Sequence, residues 1–231
     1  MSRRRITGVA FVAVALILVA GSQAGASILG TVTLSETGNF TEGTITISGV
    51  RNVTAYGGIY LLDKTAGTGE GELLPDGQVK SVCIDLMQNS TGNSQVYNVQ
   101  MPAEAPVPGT AMGAAKAALL AELWGRYFHS EAESVGGKAE AFSAAVWEIV
   151  FESDLLLDVT VGSGFSCTDL GTGMAVLANE WLASLDGTGP VASLRALTSE
   201  TYQDYLVEVP EPATLCVLAM GGLAVLGRRQ R

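Results

Sequence analysis

Apolar and polar residues alternate through residues 27–50, as in Thr31-Val32-Thr33-Leu34 and Thr44-Ile45-Thr46-Ile47, with Gly and Asn between the runs. A period of two sends successive side chains to opposite faces, so this stretch predicts strands joined by tight turns. Residues 53–62 and 79–86 continue the pattern, separated by a Gly-rich stretch at 67–77 that reads as an exposed loop. Residues 96–101 predict one more short strand, after which Pro102, Pro106 and Pro108 break the pattern.

From Met112 the period changes. Ala115, Leu119, Leu123 and Tyr127, with Leu120, Trp124 and Phe128 beside them, recur three and four residues apart and so share one helical face. Gly136 and Gly137 end the connection, and a second helix is predicted from Lys138 to about Glu152 with Phe142, Ala145, Val146 and Ile149 inward. A third apolar-periodic segment, 174–185, carries Trp181, and 202–207 reads as a closing strand. Strands first and helices grouped afterward predict an α+β fold: a β-rich sandwich or barrel-like sheet with two to three packed helices. The clustered aromatics are expected to form the core where helices meet sheet.

Both ends have a different character. Arg3, Arg4 and Arg5 precede an apolar run at 9–20, and Ala24, Gly25 and Ala26 supply small residues after it, the layout of a cleavable signal peptide over 1–26. At the other end Pro210, Glu211 and Pro212 lead into an apolar stretch at 215–226 closed by Arg228, Arg229 and Arg231. A helix from Ala213 to Gly227 would reach only about 22 Å against a hydrocarbon core of about 30 Å, too short for a lasting anchor. This order of Pro-Glu-Pro, apolar helix and basic end resembles the PEP-CTERM sorting signal, over 210–231. The resemblance implies an exosortase of the inner membrane as reader, and the layout of the front implies signal peptidase, with cleavage after Ala26. Basic clusters stay in the cytoplasm, so the chain is expected to insert as a hairpin with its middle, residues 27–209, exported.

Charge narrows the partners. Six of the 13 Lys and Arg are the terminal arginines and one of the 23 Asp and Glu is Glu211, which leaves seven against 22 in the middle and a formal charge near −15. Such a surface repels nucleic acid and anionic lipid. Cys216 leaves with the tail, so the exported region keeps Cys83 and Cys167. In an oxidising compartment such a pair leaves both a disulfide and two free thiols open.

Three segments occur in order: Val82-Cys83-Ile84-Asp85 on a strand, Ala114 to Leu120 on a helix, and Ala141-Phe142-Ser143-Ala144-Ala145-Val146-Trp147-Glu148-Ile149 on the next helix. Together they resemble the thioester domain family over roughly residues 57–151. The resemblance implies an internal thioester between the strand Cys and a Gln four residues before the helix Trp. Cys83 holds the nucleophile position, but the Gln position holds Ser143. A hydroxymethyl group has no acyl carbon, so Cys83 and Ser143 cannot form that bond. Gln88 lies too near Cys83 along the chain to replace it, and Gln95 and Gln100 belong to the next segment.

Other chemistry has little support. Ser143 lacks the Gly-x-Ser-x-Gly elbow of a hydrolase. His129 is the sole histidine and reads as a solvated helix-end residue beside Glu131 and Glu133. Asp85, Glu148 and Glu152 are carboxylates that glycoside hydrolysis could use, but in so acidic a chain they read as surface charge. No metal or other cofactor is expected. The expected function is a structural or adhesive, non-catalytic protein of the cell envelope or extracellular matrix, with exopolysaccharide or other surface components as partners. The alternatives are a covalent adhesin using Cys83 and a polysaccharide-active enzyme.

Overall fold

The computed structural model describes residues 26–49, 51–106, 109–134, 138–153, 156–162, 164–167, 170–171 and 173–210, and side chains at 40–44 are left aside. Ala24 and everything after Pro210 therefore lie outside the described residues, as do the two expected terminal helices. Among the described residues no helix is long and apolar enough to cross a membrane.

The strands are β1 (Gly30–Gly49), β2 (Val53–Gly69), β3 (Gly77–Cys83), β4 (Gln95–Gln100), β5 (Phe165–Cys167), β6 (Leu194–Thr198) and β7 (Tyr205–Glu208). The helices are α1 (Ala114–Tyr127), which runs into a single π turn at Phe128–Ala132, α2 (Lys138–Phe151) and α3 (Met174–Ala183). The sheet order is β2-β3-β7-β6-β4-β1-β5, and β1 also pairs with β2, so six strands close on themselves as an antiparallel barrel with β5 added at the far end of β1. The architecture of the described residues is thus α+β with a barrel-like sheet and three α-helices.

Two expectations change. The alternation at 27–50 belongs to one 20-residue strand, not to several strands joined by turns. Its interruptions are register shifts against β2 at Thr33/Leu34, Glu36/Gly38 and Asn39/Thr41, where extra residues bend the strand without ending it. Gly38 (φ 146°) takes one bend in a backbone region that side chains disfavour. The length has a use: β1 borders β4 at Gly30–Leu34 and β5 at Ile47–Gly49, so its far half, paired with β2, projects beyond the barrel and supports α2.

The second change is the Gly-rich stretch at 67–77. It is the end of β2 and a 3-10 turn at Glu70–Leu73 pressed onto β1. Gly71 is buried, and a Cβ there would lie 2.0 Å from the Thr31 carbonyl oxygen. Glycine is present for close backbone approach.

Helix α2 is buried on every side from Ala141 to Phe151. The β1–β2 ribbon covers one face and α1, α3 and β5 the other. Aromatics from all three helices form one cluster: Trp124 stacks on Phe128 at 3.8 Å, Tyr127 on Trp181 at 5.0 Å, and Phe142 meets Trp124, Phe128 and Trp181 edge-on. Strands β5 and β6, three and five residues long, are too short to carry a readable period.

Gly125 shows how tightly α1 is packed. A Cβ there would stand 2.4 Å from the Pro190 carbonyl oxygen and 3.0 Å from the Val191 Cα. Gly125→Ala gains about 1 kcal/mol of helix propensity, yet overpacking against backbone costs about 1–3 kcal/mol. The variant is expected to unfold at lower urea concentration than wild type.

Candidate functional site

Of the residues singled out by sequence, Cys83, Ser143 and Trp147 meet where α2 crosses β2 and the end of β3. The Trp147 indole N–H donates to the Cys83 carbonyl at 2.9 Å, and one turn earlier Ser143 Oγ donates to the Gly58 carbonyl at 3.1 Å. Small residues make this contact possible: a Cβ on Gly57 would lie 2.2 Å from Ile45 Cδ1 and 3.5 Å from Ser143 Cβ. Ser143 is buried, with its hydroxyl committed to the β2 backbone.

Beside Cys83 lies a cavity of about 260 Å³. Its walls include Cys83, Asp85, Trp147, Tyr56, Gln88 and Gln203. Gln88 is not on the strand, which ends at Cys83, but in the following loop, where its Nε2 donates to the Glu200 carbonyl at 3.0 Å. Gln203, from the loop before β7, had no signal in the sequence; only the closure of the barrel by β7 between β3 and β6 brings it here.

The two cysteines are free and buried. Cys83 Sγ donates to the Asp85 carbonyl at 3.1 Å and Cys167 Sγ to the Val159 carbonyl at 3.2 Å, so the disulfide left open by the sequence is not formed here. Burial pushes the Cys83 pKa far above its ordinary value, against partial relief from its hydrogen bonds, which holds the group as thiol. Cys167 is likewise pushed up to about 11, first by burial and then by Glu148 and Asp158.

The three acids read as surface charge are instead buried, at 8 % exposure for Asp85, 0 % for Glu148 and 2 % for Glu152. They do not form one site. Asp85 accepts the Met87 N–H at 2.7 Å and interacts with Arg51, whereas Glu148 and Glu152 secure the chain between α2 and β5. Glu148 accepts the Asp158 N–H at 2.8 Å, and Glu152 accepts those of Ser153 and Gly164 at 2.7 and 3.2 Å. A helix-period reading misses this, because these acids lie on a face that a loop covers.

Among the described residues Glu148 Oε2 has no hydrogen-bond partner, and burial, with Glu152 and Asp158 nearby, pushes its pKa up to about 7. A carboxyl raised in the folded state stabilises most below its unfolded value and loses that contribution as pH rises toward the folded value. Stability from this group therefore falls between about pH 4.5 and 7 and stays low above, by about 2–3 kcal/mol. Glu148→Gln keeps an acceptor for the Asp158 N–H. It is expected to reduce the fall in unfolding free energy between pH 5 and pH 8; an unchanged slope in urea titrations would contradict the assignment.

His129 is solvent-exposed in the turn that ends α1, as expected, and it is also paired there. Its Nδ1 meets Glu133 at 3.0 Å and its Nε2 meets Glu208, on β7, at 2.7 Å; Glu208 also accepts the Trp124 indole N–H at 3.0 Å. Burial lowers the His129 pKa, but the two carboxylates outweigh it and raise it. Val209 is buried, and its N–H donates to the Ser193 carbonyl at 2.9 Å. Pro210 is exposed immediately afterward.

Residues 208–231 match the PEP-CTERM protein-sorting motif. The chain is thus an exported protein sorted through an exosortase and held at the membrane during sorting. The matched segment takes in Pro210, Glu211, Pro212, Arg228 and Arg229, and its first residues belong to the folded domain: Glu208 closes β7 and Val209 is pinned to Ser193. No curated protein and no solved structure matches the chain.

Proposed function

We propose that the exported domain acts without catalysis, as a structural or adhesive component of the cell envelope or extracellular matrix. Signal peptidase at Ala26 frees its front and exosortase frees or reattaches its end, leaving it at the cell surface or outside. On this reading the domain has the layout of a thioester domain without its reaction. The observation that carries it is the α2 contact: Trp147 is bonded to the Cys83 backbone, and the residue one turn earlier is Ser143, which offers no acyl carbon. The buried, high-pKa thiol adds to the case, because only a thiolate attacks a carboxamide.

One observation favours a covalent alternative. Gln203 brings a carboxamide to the cavity that Cys83 lines. Attack of the Cys83 thiolate on its carbonyl carbon would form the S–C bond, break the C–N bond and release ammonia, the thiol proton leaving with it.

Intact mass separates the two. The non-covalent reading expects the exported protein at its full mass with both thiols free and no methylamine uptake. A mass lower by one ammonia, with methylamine adding to Gln203, would overturn it. So would a hydrolytic activity abolished by changing a single carboxylate.

A further inference from the structure

We infer that the cavity beside Cys83 is a binding site for a neutral polyhydroxylated ligand, a single sugar ring. The inference deepens the non-catalytic reading and rests on it, because it supplies what a non-covalent adhesive domain would hold.

Among the described residues, two side-chain atoms of residues that line this cavity lack partners: the donor Nε2 of Gln203 and the acceptor Oε1 of Gln88, both buried. Gln203 is 93 % buried. Leaving a buried donor or acceptor unpaired costs about 1–3 kcal/mol, and folded proteins pair the great majority of them. Two spare amide atoms of opposite sense at one cavity therefore point to an absent partner that both donates and accepts, as each hydroxyl of a sugar does.

Charge and shape narrow the class. The Arg51 guanidinium donates one N–H to the Leu86 carbonyl at 2.7 Å and lies close enough to Asp85 for the two charges to offset each other, so the wall carries no marked net charge for an ionic ligand. Asp85 and nearby Asp204 are both raised by burial, which disfavours a further negative charge. The volume, about 260 Å³, falls just below the roughly 300–1,000 Å³ of drug-sized sites and suits one ring better than an extended chain. Tyr56 lines the same space with 61 % of its surface exposed, an aromatic face for the C–H side of a sugar.

The test titrates the exported protein with D-glucose, D-galactose and D-mannose separately, with dextran as a polymeric arm and glucuronate as an anionic control. NMR follows the Trp147 indole N–H. Saturable shifts with at least one neutral sugar, at a Kd on the order of 1 mM, are expected, with weaker binding of glucuronate. Saturation by dextran alone would assign the site to a polymer segment and overturn the single-ring ligand. Tyr56→Ala, at an exposed position, and Gln203→Leu are each expected to weaken binding about tenfold. The inference is overturned if no sugar saturates the site, or if both variants bind as wild type does, which would leave ordinary water in the cavity. That failure would leave the non-catalytic reading standing, since only ammonia loss or amine capture bears on it.

Discussion

Trp147→Ala is expected to lower the unfolding free energy by about 3–5 kcal/mol, the range for truncating a fully buried tryptophan. Trp147 has no exposed surface and faces Phe165 edge-on at 6.3 Å. Its indole is also the bond that holds α2 to the end of β3, so truncation removes the partner of the Cys83 carbonyl as well. Against a total stability of about 5–15 kcal/mol for an ordinary domain, this is a large fraction. Trp147→Phe keeps most of the ring and loses the N–H, so it is expected to cost only about 1–2 kcal/mol. Denaturant unfolding would separate the two, and the rate at which a thiol reagent reaches Cys83 should rise in the alanine variant. A loss below 1 kcal/mol for Trp147→Ala would mean that α2 is held elsewhere.

Glu122→Ala should come close to it, for an electrostatic reason. Glu122 on α1 is 2 % exposed, and its carboxylate takes four hydrogen bonds: from Arg126 Nε and Nη2 at 2.9 and 2.7 Å, and from the Gly187 and Gly189 N–H groups at 2.8 and 3.0 Å. One side chain thereby fixes α1 to the turn before β6. Burial pushes its pKa up, but the bonds from Arg126, Gly187 and Gly189 outweigh it and hold the carboxyl below its ordinary value. Removing it takes the acceptor from two backbone donors and leaves Arg126 only its pairing with Asp186 at 2.9 Å, at a cost of about 2–3 kcal/mol. Because the folded pKa is depressed, this contribution is present above the unfolded value and lost as pH falls through the folded one. The gap between wild type and Glu122→Ala should therefore narrow in acid, and a gap independent of pH would argue against the assignment. Glu148 and Glu122 pull in opposite directions with pH.

How much could be read in advance depended on how local each feature is. The alternation in β1 was legible, but its continuity was not, because a bulge and a turn look alike in a string of Gly, Asn and Thr. The α1, α2 and α3 periods identified the helices and their aromatic faces. They gave no sign that Glu148 and Glu152 point into a covered interface, since a carboxylate looks the same in sequence whether water or a loop lies over it. Nor could they show that the exposed His129 meets Glu208, 79 residues away.

The sequence by itself determined the features that depend on residue identity and order. The Pro-Glu-Pro signal with its arginines is read as a linear string, and the absence of an acyl carbon at Ser143 is a matter of covalent structure that no folding can alter. Only the tertiary structure decided which side chains meet. Gln203 stands 120 residues beyond Cys83, and it reaches the same cavity because β7 hydrogen-bonds between β3 and β6 when the barrel closes. Strand register and burial arise from contacts summed over the whole chain, and no local pattern carries that sum.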